Sequence, residues 1–565
     1  MKERMLEIVG RPDCRTFGFW FESPPHQDTK KEGIPRALCW ILRGAIKQGH
    51  RVKIVVPSWS ERTLLELLKD QGVPRDSVEI IKCRRRPPLL VRWEFRRAPP
   101  KKNNALGLRK RLSRFLKSII RSLGRENWLV ECGAEIVSTN SYLLAALVVA
   151  LSLPVLLLAA GTYATCLLAL RALRWFTRAA RKGRDLTQAQ ISPIRGIVRT
   201  LCQEVIEFEY EQLAQLANDD RDVDCWLVAW PWATATLAIE RPLVAILWDF
   251  VPADLPTVFN GPYMAATAKR CRLVLNHAGI VVSNSEYVRS QHAVRFFGVP
   301  REQTRVVPIT PRSSADILSD GSDGARSIRD VAIDAIREHF RSKPADQDQV
   351  ARFHTSGFPF EEVDYLFNST QLREHKNTLN LLRAFEVLLR RRERNLKLVL
   401  TGNPALNPPV LQFIQDRGLQ FDVLTVTNLP NKVVAAFYHL AALTVAPTLF
   451  EAGIPLMFRE SITAGTPIVM GSIPQTLEIV PESLRPQMLF DPGDVASIAD
   501  RIEYALDHRA SLFQVQRALH DSVFQGMNAD MGEEIVKFML QVASPVYRMK
   551  PTQISAATPN RAVAG

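Results

Sequence analysis

The sequence contains no C-x-x-C pair, and none of its eight cysteines lies beyond residue 271. A zinc ribbon, a thioredoxin-type redox site and a dense disulfide framework are therefore not expected, and the cysteine usage suits a reducing cytoplasm. The N-terminus has no continuous apolar stretch ahead of a small-residue cleavage site, so a secretory leader is not expected either. Acid is almost missing from one segment. Residues 82–125 hold sixteen Lys and Arg with Glu94 as the sole carboxylate, while the rest of the chain balances, so the net charge of +15 belongs to that segment alone. An acidic partner is implied for this one place rather than for the whole surface. The 565 residues, 46% hydrophobic and 23% charged, exclude a disordered or polytopic chain and allow two to four domains at roughly 100–200 residues each.

Strand-like and helix-like patterns alternate. A short apolar run at 16–20 is followed by a polar stretch, an apolar-periodic helix over 35–48, a β-branched run at 51–57, a helix over 61–71 and a strand at 78–82. This alternation predicts a parallel sheet in an α/β domain. It breaks off at the basic segment and an uncharged run, then resumes with strands at 225–229, 243–247 and 280–283. Residues 313–360, rich in Ser, Asp, Gly and Arg, read as a connecting segment with little apolar periodicity beyond one short helix. A second alternation has strands at 363–367, 396–400, 442–445 and 467–470 and ends in helices near 495–507 and 533–542. The expected organisation is a first domain over 1–312 with an insertion at 83–200, a connector at 313–360, a second domain over 361–530, a C-terminal helix at 531–548 and a tail at 549–565.

Two stretches of the second domain place charge at the carboxyl ends of strands, where open α/β sheets bind ligands. In NSTQLREHKN (368–377), Arg373 and Lys376 precede a helix. An Arg fork and a Lys point charge near a helix N-terminus suit a diphosphate. In APTLFEAGIPLMFRESITAGTPIV (446–469), Glu451 and Glu460 bracket a turn at Gly453. Carboxylates there can accept hydrogen bonds from sugar and ribose hydroxyls, and a glycine lets backbone N–H groups approach phosphate. An Asp220-Arg221-Asp222 triplet has the form of a metal-binding DxD but precedes a strand, so a plain polar loop is the favoured reading.

These stretches, in this order, resemble the GT-B glycosyltransferases of the large retaining branch that includes bacterial mannosyl- and glucosyltransferases. The resemblance rests on GAIKQGHRVKIVVP (44–57), LWDFVPADLP (247–256), GIVVSNSEYVRSQHAVRFFGVPREQTRVVPI (279–309), LREHKNTLNLLRAF (372–385), KLVLTG (397–402), the element from Glu451 to Glu460, and LFDPGD (489–494). It implies two Rossmann-like domains facing a central cleft, with a basic and apolar helical insertion in the first. It further implies transfer of a sugar from a nucleoside-diphosphate sugar to a glycan or glycolipid acceptor, with retention of configuration and without cofactor or essential metal. Arg373 and Lys376 would grip the donor diphosphate, Gly453 would sit in the donor loop, Glu460 would hold the ribose, and Glu451 would face the transferred sugar. Asp249 would be the aspartate of the family's His-Asp step, and Gly33 the glycine of the acceptor loop. The chain departs from the family in three places: eight residues rather than seven separate the glutamates, Trp248 replaces a histidine, and Gly33-Ile34-Pro35 replaces a double glycine. These departures leave a catalytically inactive membrane-attached relative, or an epimerase of the same shape, as alternatives.

The insertion carries its own signal. Leu108, Leu112, Phe115, Leu116, Ile119, Ile120 and Leu123 form one helical stripe among Arg109, Lys110, Arg114 and Lys117, a pattern that fits the interface of an anionic bilayer better than nucleic acid. The uncharged run 142–170, which includes Leu153, would reach about 43 Å as a helix against a hydrocarbon core of ~30 Å. Strands of one sheet flank it, so it must either return to its starting side or be buried in protein. The resulting expectation is a cytoplasmic protein attached peripherally or monotopically to the inner face of the membrane, with Arg109, Lys110, Arg114, Phe115, Lys117 and Leu153 as contacts.

Overall fold

A computed structural model describes residues 14–25, 33–91, 186–259, 261–309, 312–320, 326–341, 359–524 and 531–544. The basic stripe and the uncharged run lie outside them, as do all six expected membrane contacts.

The described residues form two parallel sheets. The first contains β1 (Thr16–Trp20), β2 (Arg51–Val55), β3 (Val78–Ile81), β4 (Cys225–Val228), β5 (Leu243–Leu247), β6 (Ile280–Ser283) and β7 (Thr304–Val306), in the spatial order β3-β2-β1-β4-β5-β6-β7. The second contains β8 (Tyr365–Asn368), β9 (Lys397–Leu400), β10 (Val423–Thr425), β11 (Leu443–Ala446), β12 (Ile468–Gly471) and β13 (Leu489–Phe490), in the order β10-β9-β8-β11-β12-β13. Strands such as β5 (LVAIL), buried along their whole length, are what a sheet covered on both faces requires. Each sheet reverses its winding once, between β1 and β4 in the first and between β8 and β11 in the second. At such a reversal the connecting helices depart to opposite faces and leave a crevice at the carboxyl ends of the two strands.

Three boundaries differ from the sequence reading. The insertion was expected to end at 200, yet one continuous helix, Leu186–Asp219, runs through that point. It leads from the β3 side of the sheet to β4 and packs Leu213, Ala214 and Ala217 into the core, serving as the crossover that parallel strands demand. The connector 313–360 contains helices Ser314–Ser319 and Ile328–Arg341, whose Leu318, Ala332, Ile336 and Phe340 belong to the second domain's core. Its charged outer face hid that stripe. The C-terminal helix, Met531–Ala543, packs Ile535, Val536, Met539 and Val542 into the core of the first domain. It meets helix Gly33–Lys47 through a glycine pair: a Cβ on Gly532 would lie 2.3 Å from the Trp40 carbonyl oxygen, and one on Gly44 would lie 2.5 Å from the Gly532 carbonyl carbon. Only glycine permits backbones this close.

Candidate functional site

Both crevices open into one cleft of about 1290 Å³ between the domains. On the second domain's side, the chain leaves β8 and makes a short turn, Glu374–Lys376, before helix Thr378–Arg390. Asn377 joins turn to helix with φ 56°, a left-handed conformation that Asn tolerates better than most side chains. Its buried amide donates to the carbonyls of Pro447 (2.9 Å) and Pro492 (2.7 Å). The Leu449 amide donates to the His375 carbonyl at 2.8 Å. The turn after β8 and the loop after β11 are thereby held as one unit, and Arg373 and Lys376 both line the cleft.

Lys376 Nζ donates to Glu451 Oε1 at 2.6 Å, with both side chains more than four-fifths covered. Glu451 itself is not among the cleft-lining residues. It stands behind the lysine and orients it. Between the two cations, burial first and the neighbouring charges of Lys376 and Arg373 second push His375 down to about 4, so its imidazole is neutral at pH 7. Glu460, on helix Leu456–Ala464, lines the cleft and accepts a hydrogen bond from the Tyr438 hydroxyl at 2.8 Å. Burial raises its carboxyl above the usual range, while the Tyr438 bond and the charge of Arg36 act in the opposite direction. Behind it, Ser314 Oγ donates to the Glu460 carbonyl at 2.8 Å, which secures the helix from the former connector.

Gly453 serves a different purpose from the expected one. It is absent from the cleft lining, and a Cβ there would lie 3.2 Å from the Asn284 carbonyl oxygen of the first domain. Beside it Ser285 Oγ donates to the Ala452 carbonyl at 2.7 Å. The missing side chain thus lets the domains close on each other at this point instead of opening space for phosphate.

From the first domain, Asp249 projects into the cleft just after β5. Burial raises its carboxyl; the nearness of His292 and the charges of Lys376 and Arg373 pull it back, and Glu451 pushes with burial. Asp249 thus shares the cleft with Arg373 and Lys376 and lies within reach of their charge. Its backbone is held by a histidine that the sequence reading passed over. His292 Nδ1 accepts from the Phe250 amide (3.0 Å), so Nε2 carries the proton and donates to Asp254 at 2.6 Å. Tyr287 donates its hydroxyl to the same carboxylate, and the His292 ring stacks on Phe450, next to Glu451. Trp248 is buried, and its Nε1 donates to the Ala229 carbonyl at 2.8 Å, joining the loops after β4 and β5. Gly33 also lines the cleft, but as the first residue of helix Gly33–Lys47.

The Asp220 triplet is structural. Asp220 pairs with Lys53 at 2.6 Å, ahead of β4 and outside the cleft lining. Among the described residues, no group of three or more His, Cys, Asp or Glu is placed to hold a metal ion, and no helix is long and apolar enough to cross a membrane. Residues missed from sequence are Glu22, Arg36, Trp40, Trp230, Trp232, Asn284 and Tyr438, all in the cleft lining. Only the W-P-W triplet at 230–232, directly after a strand, offered a local signal for any of them.

Residues 351–518 match the family described as "Glycosyl transferases group 1". No curated protein matches the chain by sequence. Among solved structures, Anabaena Alr3699/HepE in complex with UDP and glucose is 13% identical, with 93% of this chain and 99% of that one covered at a TM-score of 0.52. A glycosyltransferase from Rickettsia africae ESF-5 is 11% identical, covering 94% and 100% at 0.52. The N-terminal domain of Candida albicans trehalose-6-phosphate phosphatase is 10% identical, covering 95% and 98% at 0.52. At these identities the likeness is one of fold. Residues 351–518, the domain that carries Arg373, Lys376 and Glu460, are thus a group 1 glycosyltransferase domain, set in a chain of the GT-B fold.

Proposed function

We propose that the protein moves a sugar from a nucleoside-diphosphate sugar to a glycan or glycolipid acceptor, with retention of configuration and no essential metal. Arg373 and Lys376 clasp the diphosphate, Glu460 binds the ribose hydroxyls, Asp249 flanks the transferred sugar, and Glu451 orients Lys376 from behind. UDP is the first nucleotide to test, because the Anabaena neighbour was solved with UDP and with UDP-glucose. The observation that carries the reading is the side-by-side placement of Arg373 and Lys376 on a braced turn facing the cleft, with Glu460 on the same wall.

In the reaction, the bond between the anomeric carbon and the diphosphate oxygen breaks and a bond from that carbon to the acceptor oxygen forms. The proton of the acceptor hydroxyl passes to the departing phosphate oxygen on the same face of the sugar. Most of the barrier lies in the charge that builds on the leaving diphosphate, so fixed cations lower it. When the diphosphate arrives, Lys376 can divide its three donors between phosphate and Glu451, which keeps it aimed. The basic, apolar insertion supports a membrane-held acceptor on the cytoplasmic face. Anionic vesicles are expected to sediment the full chain, and they should fail to sediment a chain lacking residues 105–184. Binding of UDP, GDP and ADP, read as a rise in melting temperature, tests the donor site. A chain whose melting point none of them moves would remove this reading.

A further inference from the structure

A second cavity, of about 390 Å³, lies in the second domain and shares no lining residue with the cleft. Three helices nevertheless serve both. Helix Ser314–Ser319 turns Ser314 and Ile317 to the cleft, and Ala315 and Leu318 to the cavity. Helix Asn431–Leu440 presents Tyr438 to the cleft and the adjacent His439 to the cavity. Helix Leu456–Ala464 presents Glu460 to the one, and Ile462, Thr463 and Ala464 to the other. Phe513, Arg517 and His520 of helix Arg509–Phe524 belong to the cavity alone.

Two groups in this cavity want partners. His520 is 8% exposed, and its Nδ1 lies 3.0 Å from Asp521 Oδ1. A carboxylate only accepts, so Nδ1 carries the proton and Nε2 is a bare acceptor. Burial first lowers the pKa of this imidazole, the Asp521 bond opposes, and the charges of Arg459 and Arg517 add to burial, so the ring is neutral at pH 7. Nε2 is buried and has no hydrogen-bond partner among the described residues. Such an atom ordinarily finds one, from the protein or from a bound molecule. Arg517 also makes no hydrogen bond or ion pair among the described residues, whereas Arg459 lies over the Phe524 ring at 4.7 Å.

We infer that this cavity is an effector site for a small organic anion bearing a hydroxyl group, its oxyanion held by Arg517 and its hydroxyl donating to His520 Nε2. Each group sets one requirement. A guanidinium needs an oxygen acceptor, a neutral imidazole nitrogen needs a donor, and the walls of Leu318, Ile462 and Phe513 cover a short carbon skeleton. A hydroxy acid and a sugar phosphate share this chemistry. The effector role rests on the reading of Glu460 as a nucleotide-binding residue. Tyr438 donates to Glu460, and Ser314 bonds to both Thr463 Oγ1 (3.0 Å) and the Glu460 carbonyl, so the three shared helices are already tied to one another. An occupant of the cavity braces them in the arrangement that holds Glu460 on the cleft wall and tightens nucleotide binding. By linkage, nucleotide tightens the effector by the same factor.

The test uses the full chain, its cleft saturated with UDP or with whichever nucleoside diphosphate raises the melting temperature most. Glucose 6-phosphate and glycerol 3-phosphate form one arm of a calorimetric titration, glycerate and tartrate the other. Butyrate, without the hydroxyl, and glycerol, without the anion, are the controls. At least one arm is expected to bind, which identifies the source, with affinity weakened roughly tenfold or more by Arg517→Ala. The same compound should lower the nucleotide Kd about fivefold or more in the parent chain. His520→Asn, which keeps a donor near the Nδ1 position and removes Nε2, should also weaken it. Arg517 is exposed and outside the cleft lining, so its variant should bind nucleotide normally and stays informative even if His520→Asn melts early. No binding in either arm, binding that Arg517→Ala leaves intact, or equal binding of butyrate would overturn the site. Binding that leaves nucleotide affinity unchanged would overturn the effector role. A parent chain that takes up no nucleotide would remove the donor reading, whereas the Arg517→Ala comparison would still decide the cavity.

Discussion

The two halves of the protein repeat one architecture and use it for opposite purposes. In both, the sheet reverses between its first strand and the strand beside it, and the loops leaving those strands face the common cleft. In the second half these loops carry Arg373 and Lys376, tied together by the Asn377 amide. In the first they carry Glu22, Trp230 and Trp232; Trp59 and Tyr210 hold the loop after β1 through the Ser23 carbonyl, and the Phe21 contact joins it to Trp230. A parallel sheet thus supplies a position without dictating its chemistry.

The sharpest way to break this comparison is to remove the cations. Lys376→Ala or Arg373→Ala should lower turnover by about 10²–10³-fold, the usual cost of deleting one group that stabilises transition-state charge, with far-UV circular dichroism unchanged. Near-normal turnover in both would erase the distinction between the two walls.

A second prediction concerns the first half alone. Gly532→Val forces a side chain against the Trp40 carbonyl and should destabilise the docked C-terminal helix by about 1–3 kcal/mol. The signature in calorimetry is an early transition, with nucleotide still stabilising the remaining one. A single unshifted transition would show that the helix contact contributes nothing.

Smaller effects refine the boundary between the walls. His292→Gln should slow turnover roughly tenfold with little change in substrate KM, because it frees the Phe250 amide beside Asp249. A rise in KM with turnover intact would mean that the histidine serves binding instead.

Finally, burial pushes the Glu22 carboxyl up to about 7 from 4.5, opposed by the Trp20 bond and the charge of Arg270, with Tyr210 close enough to feel its charge. The folded state then binds the proton more tightly than the unfolded one, so this contribution to stability is complete below about 4.5 and is lost as pH rises to about 7. Glu22→Gln should flatten that part of the melting-temperature profile, and an unchanged slope would assign it to other groups.

The cleft wall with Arg373, Lys376 and Glu460 was legible in the sequence because its residues are local. Arg373 and Lys376 are three apart, and Glu451 and Glu460 share one loop and helix, so spacing and the charge pattern survive in one dimension. The extra residue between the glutamates leaves Glu460 on the cleft wall. The aromatic wall was not legible, since Glu22 and Trp230 meet only through a crossover that includes a long helix, and no periodicity links them. Strands β7, β10 and β13 were missed because two or three residues are too few to show a pattern. The connector was expected to hold one short helix, but its arginines and acids hid that Ala332, Ile336 and Phe340 of helix Ile328–Arg341 face the second domain's core. At Gly453 the need for space is met by the backbone of Asn284 from the first domain.

The docking of helix Met531–Ala543 into the first domain has a consequence for biosynthesis. The core around helix Gly33–Lys47 stays incomplete until the ribosome has translated the whole second domain and then residue 543. A frameshift or stop near residue 530 would leave every cleft residue named above intact in the polypeptide, yet expose the groove where Gly44 waits for Gly532. Such a product is expected to be cleared by proteolysis for a defect nearly five hundred residues upstream of the lesion.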